Sequence, residues 1–112
     1  MRPVAILGIG QTQIGEHWDK SLREIGGEAA FAAMHDAGVE TVDALFVGNM
    51  LSSTISGQNQ LGAFFSDWIG LWKQEAVKVE AACASGAAAL RAGLMAVSAG
   101  ELDSALVVGV EK

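Results

Sequence analysis

The chain has 112 residues, enough for one domain with a sizeable core. Its residues are 51% hydrophobic and 18% charged, the balance of a globular α/β protein, with no composition typical of disorder. A formal charge of -6 and a pI near 4.7, with seven basic residues scattered along the chain, argue against nucleic acid and anionic membranes as partners. The single cysteine, Cys83, leaves no internal disulfide and no multi-thiolate metal site, so no metal is expected and a reducing cytosol fits. No run reaches the ~18–20 continuous apolar residues of a membrane helix, and residues 4–9 are too short for a secretory core. The reading is a soluble, cytoplasmic protein.

Residues 4–9, apolar and bounded by Pro3 and Gly10, predict a buried first strand. Gly8 and Gly10 begin a dinucleotide-binding fingerprint, but Gln13 stands where its third glycine belongs, so these glycines are read as the turn off the strand into a loop over 11–20. Ser21 followed by Glu24 is a capping box; it starts a helix at Leu22 that Gly38 stops. On that helix Leu22, Ile25, Ala29, Ala32 and Ala33 share a face expected to lie on the sheet. His17 in the preceding loop and His35 on the helix are read as structural and surface residues.

Residues 42–50 predict a second strand, apolar enough to be buried on both faces as parallel strands are. The loop over 51–57 leaves its carboxyl end, where ligands gather in open α/β sheets, so Asn49 and the serines are in position to rim a site; a polar loop needs no such purpose. A helix over 58–71 carries Phe64, Phe65, Trp68 and Trp72, read as core or subunit interface. Residues 77–81 alternate, with Val77, Val79 and Ala81 on one side and Lys78 and Glu80 on the other, which predicts a strand at the edge of the sheet. Residues 84–99 predict a helix stopped by Gly100; Arg91 is its only charge, so it should be buried nearly all round in a central layer. Residues 104–110 predict an apolar, central fourth strand. Alternating strands and helices call for parallel strands joined by right-handed crossovers.

Cys83 sits where a strand ends and a helix begins. A thiol there faces unpaired backbone N–H groups and the positive end of the helix dipole, which favour thiolate. A free cysteine between alanines is more often an ordinary small buried hydrophobe, and position and composition alone favour that reading.

The run Val-Glu-Ala-Ala-Cys-Ala-Ser-Gly-Ala-Ala-Ala-Leu-Arg-Ala-Gly at 79–93, followed by Ser-Ala-Gly-Glu-Leu-Asp-Ser-Ala-Leu-Val-Val-Gly-Val-Glu-Lys at 98–112, resembles the nucleophile segment of the thiolase family. Residues 6–16, Val-Gly-Asn at 47–49 and Gly-Gln at 57–58 are similar to the family's opening strand, second strand and following loop. Within the family the likeness is to archaeal and bacterial acetyl-CoA acetyltransferases and sterol-carrier-protein-like thiolases. It covers essentially the whole chain, yet only the amino-terminal portion of a thiolase. The fold it implies is a thiolase-like, layered α/β arrangement with a mostly parallel sheet, the incomplete first half of the thiolase fold.

The activity implied by the resemblance is acyl transfer. A cysteine matching Cys83 takes an acyl group from acyl-CoA as an enzyme thioester, and a second acyl-CoA attacks it to form 3-ketoacyl-CoA, or the reverse. The backbone N–H at the cysteine contributes to an oxyanion hole. Coenzyme A thioesters are substrates, no bound cofactor is implied, and the edge strand pairs across a homodimer twofold. The family also needs a histidine, commonly in Gly-His-Pro, and a further group to move the substrate proton; no such motif occurs in these 112 residues. A helix dipole contributes only about 0.3–1 kcal/mol and supplies no base. The chain is therefore expected to be an incomplete fragment or half of a split enzyme, incompetent alone and poorly soluble without a complementary half. A non-catalytic assembly subunit and a condensing enzyme of the ketoacyl synthase kind are the alternatives.

Overall fold

The computed structural model describes residues 1–112. Helix α1 (Leu22–Ala37) leads to strand β1 (Ala44–Gly48), then the short α2 (Ser52–Ile55), α3 (Leu61–Ile69), β2 (Glu75–Val79), α4 (Ser85–Ala99) and β3 (Ala105–Gly109). The strands form one parallel sheet in the order β2-β1-β3, with Gly48 level with Val79 on one side and Gly109 on the other. β1 is buried throughout, as its unbroken apolar sequence requires. β2, carrying Lys78, is at an edge.

The period-two alternation of β1 and β3 sorts the core into two layers. Leu45 and Val47 of β1, with Leu106 and Val108 of β3, pack with Leu22, Ile25, Ala30 and Met34 of α1 and Leu61, Phe65 and Ile69 of α3. Ala44 and Phe46 face the other way, against Ala89 of α4, with Ala92, Ala96 and Val107 around them. The buried face of α1 thus includes Ala30 and Met34; Ala32 is exposed, and Ala29 and Ala33 are only part-buried. The capping box forms as expected: the Ser21 hydroxyl accepts from Glu24 N–H, and the Glu24 carboxylate accepts from Ser21 N–H at 2.6 Å. Gly38, with φ +69°, closes the helix.

Residues 4–9 do not join the sheet. β2 and β3 flank β1, and the outer edge of β3 is left unpaired. The run lies instead over α1, close enough that a Cβ on Gly8 would fall 2.6 Å from Ala33 O and one on Gly10 2.4 Å from Ala29 O. Ile9 N–H donates to the Asp36 carboxylate, and Arg2 is tied to the far end of α4 through Val97 O. Ile6, Leu7 and Ile9 are 76%, 69% and 76% exposed, and an open groove of about 610 Å³ runs between this segment, α1, α4 and β3. As a consequence β3, expected to be central, is an edge strand with only every second residue fully buried.

Three helical expectations also change. Residues 51–57, read as a loop, include the single turn α2, and the aromatic helix starts later, at Leu61. Phe65 is core, packed edge-to-face on Phe64 at 5.4 Å, whereas Trp72 is exposed. Helix α4 is not covered all round: Ser85, Ala89, Gly93 and Ser98 are buried against the sheet, while Leu90 and Leu94 are each 48% exposed, because no element lies over its outer face. The stretch Ala82–Ala99 has a mean hydropathy of 1.3 and is long and apolar enough to cross a membrane by composition. Its regular helix has 15 residues, about 22 Å, short of the ~30 Å hydrocarbon layer, and its small-residue face is packed on β1 and β3.

Glycine decides how closely α4 meets the sheet. A Cβ on Gly48 would lie 2.5 Å from Ser85 O and 2.8 Å from Gly86 Cα, and Gly109 lies beside Gly86 on the other side. Replacing Gly48→Ala should force the start of α4 off the sheet and cost about 1–3 kcal/mol in chemical denaturation, whereas Gly15→Ala, with nothing within 4 Å, should be neutral. Hydrogen bonding from Ser21, backbone first, holds the Glu24 carboxyl below its ordinary value of 4.5. Its contribution is therefore present above that value and fades as pH falls through the lower folded value; Glu24→Ala should remove this part of the acid dependence of unfolding.

Candidate functional site

The carboxyl ends of the three parallel strands lie level with one another, and Asn49 ties them together. Its backbone N–H donates to Val79 O at 3.2 Å at the end of β2, and its Nδ2 donates to Val110 O at 2.7 Å beyond β3. Its Oδ1 accepts from Ser52 N–H at 2.9 Å. Glu111 adds a second link, its carboxylate accepting from the N–H groups of Met50 and Leu51. Asn49 is 1% exposed, and both polar atoms of its side chain are hydrogen-bonded within the protein, so it supports the rim. Ser52 is buried too, and its hydroxyl accepts from Lys78 Nζ at 3.4 Å.

Cys83 stands on this edge, exposed, between β2 and α4. The chain turns from strand to helix within five residues, through Ala84 N–H to Ala81 O at 3.0 Å and Ser85 N–H to Ala82 O at 3.1 Å. Ala82 takes the left-handed conformation, φ +49°, which costs a residue with a Cβ about 1–2 kcal/mol. Three side-chain contacts add to the Ser85 N–H bond in holding it there. The Ser85 hydroxyl accepts from Ala81 N–H at 2.9 Å and donates to Ala82 O at 2.6 Å, and the Glu80 carboxylate accepts from Ala82 N–H. Helix α4 begins at Ser85 without a side-chain cap, so its first-turn N–H groups face the turn that carries the thiol. The arrangement presents a sulfur to solvent next to backbone donors, which is the geometry a thiol needs to attack a carbonyl carbon and have the resulting oxyanion held.

No titratable partner accompanies the thiol among the histidines. His17 Nε2 is hydrogen-bonded to Gln13 O at 2.7 Å within its own loop, and His35 lies in the last turn of α1, at the opposite edge of the sheet. A cleft of about 740 Å³ opens on the α1 side of the carboxyl edge between Trp18, Leu22, Phe64 and Glu111, and Cys83 does not line it. No group of three or more His, Cys, Asp or Glu side chains is placed to hold a metal ion. Sequence reasoning missed Ser85 and Glu111. A serine two residues after the cysteine reads as an ordinary helix-start residue, and only the fold brings Glu111 beside Met50, 61 positions earlier in the chain.

The chain matches the family described as thiolase, N-terminal domain, over residues 4–112. It is 46% identical over its whole length to an acetyl-CoA acetyltransferase of Methanothermobacter thermautotrophicus and 42% identical to one of Methanocaldococcus jannaschii. It spans 30% and 29% of the lengths of these two curated relatives. A solved acetyl-CoA acetyltransferase from Syntrophomonas wolfei superposes on 87% of the chain with a TM-score of 0.75 at 20% identity, using 26% of its own length, which is a likeness of fold.

The exposure of Cys83 makes a direct expectation. Iodoacetamide should label it fully without denaturant, and labelling that requires unfolding would contradict this placement. Asn49→Ala should lower stability by about 1–3 kcal/mol, since Val110 O and Ser52 N–H lose their partner, as read by denaturant midpoint.

Proposed function

The chain belongs to the thiolase family through its N-terminal domain, and from that premise we propose that it carries the nucleophile of a thiolase-type acyltransferase, with Cys83 as the acyl acceptor. The observation that carries this reading is the place of the sole thiol: exposed, on the turn between β2 and an uncapped α4, at the carboxyl edge of a parallel sheet. In the first half-reaction the Cys83 thiolate attacks the carbonyl carbon of an acyl-CoA. The new C–S bond forms as coenzyme A leaves as its thiolate. In the second, an acyl-CoA that has given up a proton from its α-carbon attacks the Cys83 thioester, the new C–C bond forms, and the Cys83 thiolate departs. The reverse sequence cleaves 3-ketoacyl-CoA. Backbone N–H groups at the turn hold the oxyanion of each tetrahedral intermediate.

Neither histidine is assigned as the base. The group that takes the α-carbon proton is proposed to come from outside these 112 residues. The substrate class is acyl-CoA, supported by the printed names of the relatives, and the setting is the cytoplasm. β2, at an edge and carrying Lys78 on its outer strand, supports a homodimer in which it pairs with its mate. A second reading, an assembly subunit that lends its surface to a complementary chain, is favoured by the uncovered Leu90, Leu94 and Met95 on α4.

Incubation with acetyl-CoA followed by peptide mass mapping tests the nucleophile. The expected result is an acetyl adduct on the Cys83 peptide that disappears in Cys83→Ser. An unmodified cysteine, with or without a complementary thiolase C-terminal half, would refute nucleophilic function and leave the assembly reading.

A further inference from the structure

We propose that Ser85 is a positioning residue for Cys83, its hydroxyl bridging Ala81 N–H and Ala82 O so that the sulfur and the Cys83 N–H leave the sheet in one fixed direction. The proposal rests on Cys83 being the nucleophile. Ser85 is 4% exposed, and its single hydroxyl is used twice, accepting from Ala81 N–H at 2.9 Å and donating to Ala82 O at 2.6 Å. Both partners lie before the cysteine. A serine at the start of a helix ordinarily turns its oxygen toward the N–H groups that follow; here no side-chain cap serves α4, so the hydroxyl acts on the preceding turn.

The clamp has a rigid anchor. The Ser85 carbonyl is pressed against Gly48 of β1, where even a methyl group would approach it to 2.5 Å. Rigidity therefore passes from the central strand to the first residue of α4, through its hydroxyl to Ala81 and Ala82, and from there to Cys83. Two other contacts touch Ala82: the Ser85 N–H, which reaches only its carbonyl and at 3.1 Å, and the Glu80 carboxylate, which is exposed, where water competes for the same hydrogen bond. Removal of the Ser85 hydroxyl frees Ala82 to relax from φ +49° toward the ordinary negative range, which swings Cys83 on its neighbour.

This role differs from general support of the fold in what it predicts. Attack on a thioester needs the sulfur and the oxyanion donors aligned at once, and a displacement of about 1 Å costs roughly 100-fold in such reactions. Alkylation by iodoacetamide needs only an accessible sulfur. Acetylation of Cys83 by acetyl-CoA and its alkylation are measured in parallel on the wild-type chain, Ser85→Ala, Ser85→Thr and the double variant Ser85→Ala, Ala82→Gly. The expected result is a roughly 10- to 100-fold loss of acetylation in Ser85→Ala with alkylation nearly unchanged. Ser85→Thr should restore acetylation by restoring the hydroxyl, and glycine at 82 should restore part of it by taking the left-handed conformation freely.

Equal ratios of acetylation to alkylation in wild type and Ser85→Ala would overturn the proposal while leaving the nucleophile reading intact. A wild-type chain that alkylates but never acetylates, alone or with a complementary thiolase C-terminal half, would overturn the nucleophile reading instead. The clamp is then decided by amide resonances: in Ser85→Ala the Ala81 and Ala82 signals should move and Ala81 N–H exchange should quicken, both reverting in Ser85→Thr. Unmoved resonances would refute it.

Discussion

The contact on which the structure depends is the approach of the first turn of α4 to the sheet, with backbone meeting backbone. Gly48 of β1, Gly86 of α4 and Gly109 of β3 carry no side chains at the place where they meet, and any Cβ on Gly48 would collide with the Ser85 carbonyl. A helix seated this low leaves little length for the connection from β2. The chain between Val79 and Ser85 must reverse in five residues, with one of them, Ala82, in the left-handed region. The exposed cysteine and its buried serine clamp both follow from that constraint.

A second constraint acts at the two ends of the pairing between β1 and β3. At the amino edge the Asp43 carboxylate accepts from the N–H groups of Asp103 and Ser104, at 2.9 and 3.0 Å. At the carboxyl edge Asn49 bonds to Val110 O. The pair is pinned at both ends with β2 on the other side, while residues 4–9 run over α1 outside the sheet. The same arrangement leaves β3 at an edge and the outer face of α4 open. The two uncovered apolar surfaces of the chain, the run at 4–9 and the face of Leu90, Leu94 and Met95, both border the groove beside β3 or lie on the helix above it.

Membership of the thiolase family fits these features together. A parallel sheet whose carboxyl edge is locked by Asn49 and Glu111 gives the cysteine turn a fixed floor, and an uncapped helix gives it free N–H groups. What the chain holds is an exposed thiol and the contacts that support its turn. Its two histidines lie in a loop and at the far edge of the sheet, and the chain spans about 30% of its relatives' length.

Local signals were legible in the sequence. Ser21 with Glu24 and Gly38 marked the ends of α1, the unbroken apolar run marked β1, the charged Lys78 marked an edge, and the change of period across Cys83 marked a strand-to-helix turn. Each is decided by residues a few positions apart, through a cap, a left-handed glycine or an alternation. The motif around Cys83 also carried the family. Residues 4–9 were not legible, because an apolar run shows that a segment can be a strand and never which edge is free to take it. The central position of β1, the edge position of β3 and the open face of α4 come from competition among segments 30 to 100 residues apart. So does the task of Ser85, whose hydroxyl looks like a helix cap in sequence and becomes a clamp only because the sheet holds its carbonyl in place.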